Sequence, residues 1–265
     1  CQYFAGIEKI SQAHTRAIES TSGQIITFAG NPILALFSSC AGGHTEDYQN
    51  CFSDPDTGAF PPPPLPYLTG VPEGKLPPGY DHGPATEIAM RALFRTAHPE
   101  TDDGWASQFR WSVHMTGAMI ESEMHHTLEK LQNDRDTAPF VVAPPRTVPF
   151  RHITGFFVPK RGVAGTAIEL EIRTHRAQWK VSKELVIRSV FKCPELNIAR
   201  LKSARIFFDH HYDNLGDIES IDIHGLGFGH GVGLQQTGSQ GLALKGMKYQ
   251  DITAHYFKGT QVQVV

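Results

Sequence analysis

Apolar positions change their period along this chain, and the changes mark its elements. Residues 24–28 and 33–37 are short, apolar, β-prone runs parted by Ala29-Gly30-Asn31-Pro32, a turn signal. Before them, Ile7, Ile10, Ala13, Ala17 and Ile18 approach helical spacing and predict a weak helix that ends at Gly23. An amphipathic helix is expected over 85–98, an alternating strand over 109–115, and the strongest helix of the chain over 118–131. In that helix Met119, Ile120, Met124, Leu128 and Leu131 keep close to a 3.6-residue period. The second half reads as strand-rich. Residues 148–153, 166–172 and 177–181 alternate, 204–208 and 218–223 are further strands, and 260–264 alternates again. Residues 183–189 and 198–201 are short and ambiguous, while 234–245 and 249–256 read as helices. The expected fold is α+β, mostly β: one compact unit over 1–265 with a few helices and a C-terminal glycine-rich loop followed by short helices.

Composition narrows the class. At 265 residues, with 40% hydrophobic and 19% charged positions, the chain can bury a substantial core. A formal net charge of −3 and no long basic run give no case for nucleic acid. No apolar run approaches the roughly 20 residues a membrane-spanning helix needs. The chain opens Cys1-Gln2-Tyr3-Phe4, without the charged start and apolar centre of a signal peptide and without Met, and so reads as a processed or trimmed piece. Residues 60–68 carry a proline-dense tract that would be stiff, extended and unable to continue a sheet.

Two stretches hold the candidate chemistry. The first is Gly225-Leu226-Gly227-Phe228-Gly229-His230-Gly231-Val232-Gly233-Leu234-Gln235-Gln236, five glycines at alternate positions around one histidine. No glycine falls three residues beyond any of its Gly-x-Gly pairs, so the dinucleotide fingerprint is absent, as are a phosphate loop and a Gly-x-Ser-x-Gly elbow. The glycines therefore serve a close backbone approach, either to a ligand such as a sugar ring or to a packed loop, with His230 lining a cleft or purely structural. The second stretch is Ser38-Ser39-Cys40-Ala41-Gly42-Gly43-His44-Thr45-Glu46-Asp47, small and polar directly after an apolar run, which suits a cleft-lining loop or an ordinary surface turn. Cys40, His44 and Cys51 have a spacing that can bring two thiolates and an imidazole to one zinc ion. A disulfide, Cys1 to Cys40 or Cys40 to Cys51, and free buried thiols compete with that reading.

At these stretches the chain resembles a known family. Gly229-His230-Gly231-Val232-Gly233-Leu234-x-Gln236-x-Gly238, then Gly241-x-Ala243-x3-Gly246, then Ile252-x2-His255-Tyr256-Phe257-x-Gly259-Thr260 is similar to the C-terminal signature of the SpoIID/LytB family, the stage II sporulation protein D and amidase enhancer proteins. Cys1-Gln2-x-Phe4-x-Gly6, Thr21-x-Gly23-Gln24-Ile25, Ala35 to Glu46, Pro66-Tyr67-Leu68 and Leu201-Lys202-Ser203-Ala204 resemble its middle section in the right order. Residues 70–105 are less typical and read as an insertion.

The resemblance implies an extracytoplasmic protein of the bacterial envelope or periplasm that acts on peptidoglycan glycan strands. Family members resemble lytic transglycosylases: one protonated glutamate gives a proton to the glycosidic oxygen, then takes one from the muramyl C6 hydroxyl, which closes to a 1,6-anhydro sugar. The family's Glu-Met-Pro block, which carries that glutamate, has no counterpart in these residues, so the catalytic acid is expected upstream of Cys1 or on a separate N-terminal chain. The alternative is a non-catalytic glycan-binding module or an activator of a cell-wall amidase. Ser39, Gly43, His44, Thr45, Glu46, His230 and Gln236 are the expected glycan contacts, with Glu46 the nearest carboxylate for a helper role. Zinc on Cys40, His44 and Cys51 is also implied, although position 38 is serine where several relatives have histidine.

Overall fold

Three buried apolar clusters organise the chain, and two segments distant in sequence run side by side from one cluster to the next. The computed structural model describes residues 6–81, 83–144 and 150–264. In chain order, the first elements are α1 (Gln12–Ser20), β1 (Gln24–Phe28), β2 (Asn31–Pro32), β3 (Phe37–Ser38), α2 (Glu87–Arg95), β4 (Arg110–Thr116) and α3 (Gly117–Asn133). They are followed by β5 (Val141–Val142), β6 (Ile153–Arg161), β7 (Ala167–Thr174), β8 (Gln178–Ser182) and α4 (Glu184–Val190). The rest are β9 (Ile206–Tyr212), β10 (Ile218–Leu226), β11 (Leu234–Gln235), α5 (Gln236–Leu244), α6 (Tyr249–Tyr256) and β12 (Gln261–Val264). The expected α+β fold is the fold found. No helix among the described residues is long and apolar enough to cross a membrane.

Two antiparallel sheets, ordered β4-β10-β9 and β5-β8-β7-β6, and the helices α3 and α4 enclose the largest cluster. Helix α3 starts where the Thr116 hydroxyl accepts the Met119 N–H, a standard N-cap. It then buries Ile120, Met124, Leu128 and Leu131, one residue per turn on a single face. A second cluster joins Ala89, Met90 and Leu93 of α2 to Cys40, Phe109, Phe207 and Leu226. A third joins Tyr48, Cys51, Leu68 and Val71 to Val232, Leu242, Ile252 and Tyr256. Residues 70–105 are woven into these cores rather than draped over them: Thr45 N–H bonds Val71 O at 2.8 Å, and Glu73 N–H bonds Gly43 O at 2.9 Å.

The sequence pattern misplaces some boundaries. Residues 33–36 form no strand. The chain pairs with β1 through Asn31 and Pro32, adds one bond from the Ile33 N–H to Ile26 O at 3.1 Å, then turns away so that the Leu36 carbonyl can accept Leu234 N–H at 3.1 Å. The ambiguous 183–189 segment is α4. The strand expected over 148–153 begins only at Ile153 and continues to Arg161, because its partner β7 runs the length of that segment; Val148 and Pro149 lie outside the described residues.

Candidate functional site

The Ser38–Glu46 loop and the Gly225–Gln236 stretch do lie together, as two halves of a seam. Strand β3 pairs with β11 in parallel, with Ser38 opposite Gln235. Bridges then join Cys40 to Phe228 and Glu46 to Val232. Each segment begins in the α2 cluster, at Cys40 or Leu226, and ends in the third cluster, at Cys51 or Val232.

The alternate glycines are what allow this contact. Gly225 faces the Trp111 ring, Gly227 and Gly231 face the Arg205 guanidinium, Gly229 faces Ser38, and Gly233 faces the Leu36 carbonyl. A Cβ at Gly225 would stand 2.1 Å from the indole, and one at Gly231 would stand 2.2 Å from Arg205 Nη1. Neither neighbour is a free side-chain end, so both positions require glycine. Of the two roles open to these glycines, the packed loop is the one the structure displays.

Arg205 is the staple of the seam. It is 1% exposed. Its Nε donates to Leu226 O at 3.1 Å, Nη1 to His44 O at 3.2 Å and Nη2 to Cys40 O at 3.2 Å. A buried cation is costly unless its donors are satisfied, and here backbone carbonyls of both walls satisfy it. Beside it a relay runs from the Gly231 N–H to Ser38 Oγ (3.1 Å), from Ser38 Oγ to Gln235 Oε1 (2.8 Å), and from Gln235 Nε2 to Gly233 O (3.0 Å). Composition and motif did not single out Arg205 or Gln235. The one available signal was an arginine placed inside the apolar run Ala204 to Phe208.

Most of the expected glycan contacts prove to be wall material. Glu46 is wholly buried. Its Oε1 accepts the Asp47 and Val163 N–H groups, both at 3.0 Å, and the Asn50 amide at 2.8 Å. Its Oε2 accepts the Ala164 and Thr166 N–H groups, so the carboxylate clamps the β6–β7 connection. Burial raises its pKa while these donors oppose the rise. Gly43 packs against Leu93 and Leu76. Thr45 exchanges hydrogen bonds with Val71, and the His44 Nδ1 lies 2.6 Å from Thr45 O. His44, Thr45 and Glu46 are thus buried in this structure, their polar groups bonded to the protein's own backbone.

His230 is also fixed. Its Nδ1 accepts the Val232 N–H at 3.0 Å, its ring meets Phe52 edge-on at 5.0 Å, and the Phe37 backbone holds it from the other side. Burial lowers its pKa to about 4, so the ring is neutral at physiological pH. His230 remains partly exposed.

What faces outward is a neutral strip. Ser39 Oγ donates to Gln108 Oε1 at 2.9 Å, and Thr237 holds Ser39 O through both its N–H and its hydroxyl, each at 3.1 Å. Gln236 is exposed beside them, with Phe37 exposed and Phe228 half-buried at the margins. Glu46, Glu73 and Asp103 are all buried.

Residues 58–233 match a family described as a domain of unknown function (DUF8618). The amidase enhancer of Bacillus subtilis (strain 168) is 22% identical over 248 residues, covering 92% of this chain and 32% of that protein. Stage II sporulation protein D of the same organism is 26% identical over 250 residues, covering 94% of this chain and 50% of that protein. The chain belongs to the DUF8618 domain family and to the SpoIID/LytB family. It spans only a third to a half of the length of these two relatives.

Cys40, His44 and Cys51, the residues expected to hold zinc, each have a separate partner in this structure. Cys40 Sγ approaches Asp103 Oδ2 at 3.5 Å, whereas Cys51 Sγ approaches His230 O at 3.4 Å in a different cluster, and His44 turns to Thr45 O. Both thiols are free and held protonated, Cys40 pushed up to about 12 by burial and by the Asp103 charge. Among the described residues no three His, Cys, Asp or Glu side chains converge as metal ligands. Cys40 and Cys51 form no disulfide with each other, and Cys1 lies outside the described residues.

Proposed function

We propose that this SpoIID/LytB chain binds peptidoglycan glycan strands along the Ser39–Gln108–Gln236–Thr237 strip. In this reading it is the substrate-holding part of a lytic transglycosylase whose acid/base glutamate is supplied from outside these residues, in the bacterial envelope. The observation that carries it is the chemistry of the strip. Hydroxyls and carboxamides present donors and acceptors without charge, aromatic edges flank them, and the wall carboxylates Glu46, Glu73 and Asp103 are buried. Neutral hydrogen-bonding groups beside aromatic surface suit a peptide-free sugar chain. A strip with no exposed carboxylate also suits holding a glycosidic bond rather than protonating it.

The test uses glycan strands stripped of stem peptides. The chain should bind them and, alone, release no 1,6-anhydro-muramyl ends. Anhydro ends should appear with the longer gene product. Gln236→Ala with Ser39→Ala should weaken binding roughly 3- to 10-fold per lost hydrogen bond while leaving thermal unfolding unchanged. Unaltered binding by the double variant would remove the strip from the site. Stimulation of a cell-wall amidase without glycan cleavage would replace the enzyme reading with the activator role that the name of the first relative describes.

A further inference from the structure

Beneath the strip lie two carboxyl groups that the glycan reading does not use. Glu73 and Asp103 are each fully buried. Asp103 Oδ2 accepts the Gly42 N–H at 2.7 Å, the Gly43 N–H at 3.1 Å and the Cys40 thiol. Glu73 Oε2 accepts the Tyr256 hydroxyl at 2.8 Å. The other oxygen of each, Glu73 Oε1 and Asp103 Oδ1, is buried without a hydrogen-bond partner, and so are the hydroxyls of Thr101 and Ser239.

These groups belong to one neighbourhood. Asp102 N–H bonds Glu73 O at 2.6 Å, and Gly74 bridges Thr101. Gly238, next to Ser239, lies against Glu73 Oε2 and the Tyr256 hydroxyl. Among the described residues no basic side chain is bonded to the pair: the Lys245 ammonium is spent on Asp102, and the Arg205 guanidinium on carbonyls.

We propose that Glu73 and Asp103, with the Thr101 and Ser239 hydroxyls, form a binding site for a hard divalent cation of the calcium class. All four unpartnered atoms are oxygens, and the two carboxylates match a double positive charge. Backbone carbonyls and water would complete the six to eight oxygens such an ion takes. The Thr101 hydroxyl lies beside Asp103 and the Ser239 hydroxyl beside Tyr256, so both oxygens sit next to the carboxyl pair, and a proton shared between the carboxyls is the competing occupant that the test must separate from an ion. Asp102, Lys245, Tyr256, Cys40 and Arg205 are the other titratable or charged groups facing the pair. Burial and the Asp103 charge push the Glu73 carboxyl up to about 9. An ion would therefore displace a proton as it binds.

The probe is calcium added to chelator-treated protein, followed by calorimetry and thermal unfolding. Expected are one ion per chain, release of close to one proton near neutral pH, and a melting temperature raised by about 5 °C or more at a hundredfold excess over Kd. Glu73→Gln keeps an acceptor for Tyr256 and should fold, yet lose calcium binding; Ser239→Ala should weaken it several-fold without changing stability in chelator. Two results would overturn the proposal: no binding and no melting shift in millimolar calcium at mildly alkaline pH, which leaves the shared proton, or calcium binding by folded Glu73→Gln as tight as by the parent chain.

Discussion

The seam and the outer face of the β4-β10-β9 sheet carry the same kinds of groups and treat them in opposite ways. On the outer face Asp222 bridges His114 (2.9 Å) and His211 (2.8 Å), and Asp217, at the β10 start, bridges His152 (2.6 Å) and His175 (2.7 Å). All four imidazoles are more than half exposed. Hydrogen bonds from His152 and His211 lead the effects that hold Asp217 and Asp222 below the usual carboxylate range. In the seam, burial pushes Glu46, Glu73 and Asp103 the other way, and backbone groups, not opposite charges, satisfy most of their bonds. Exposed pairs are screened and replaceable. Buried groups bonded to two chain segments fix how those segments meet.

If that contrast is right, Arg205→Ala has the largest effect. It leaves the His44 carbonyl without a donor, takes one of two donors each from the Leu226 and Cys40 carbonyls and opens a void, and should cost about 3–5 kcal/mol in urea unfolding. A loss below about 1 kcal/mol would mean the seam closes without its staple. Gly231→Ala comes next, at about 2–4 kcal/mol, because the methyl group meets the guanidinium and φ is +79°. Gly216, with a similar φ of +82° and open space around it, is the control that isolates the contact from the backbone strain.

Opposite pKa directions then give opposite pH dependence. A carboxyl raised from 4.5 to about 9, as in Glu73, contributes stability that is complete below 4.5 and is lost as pH rises toward 9. The slope is at most about 1.4 kcal/mol per pH unit and should vanish in Glu73→Gln, measured in chelator. Asp217 and Asp222, held low, contribute stability present above about 3.8 and lost as pH falls through their folded values. The smallest effect is expected at the surface: Asp222→Asn should change stability by less than about 0.5 kcal/mol, and less again in high salt.

Sequence periodicity revealed what depends on one face at a time. Ile120, Met124, Leu128 and Leu131 announce α3, and the alternation at 109–115 announces β4, because each pattern is local. The five alternate glycines announced a close approach but not what approaches, since Trp111 of β4 and Arg205, just before β9, come from elsewhere in the chain. The same limit explains the site residues. His44, Thr45 and Glu46 have the polarity of ligand contacts, and only the arrival of Val71 and the 163–166 turn shows that the protein's own backbone consumes it. Glu73 and Asp103 passed unnoticed because nothing in their neighbours sets them apart from surface acids.

The seam also imposes an order on synthesis. Ser38 waits for Gly231, 193 residues later, and Cys40 waits for Arg205, 165 residues later. As the chain leaves the ribosome, the Ser38–Glu46 stretch must therefore stay in water until residues 205–231 emerge. Its serines, histidine and carboxylates keep it soluble through that interval, as an apolar segment of equal length would not.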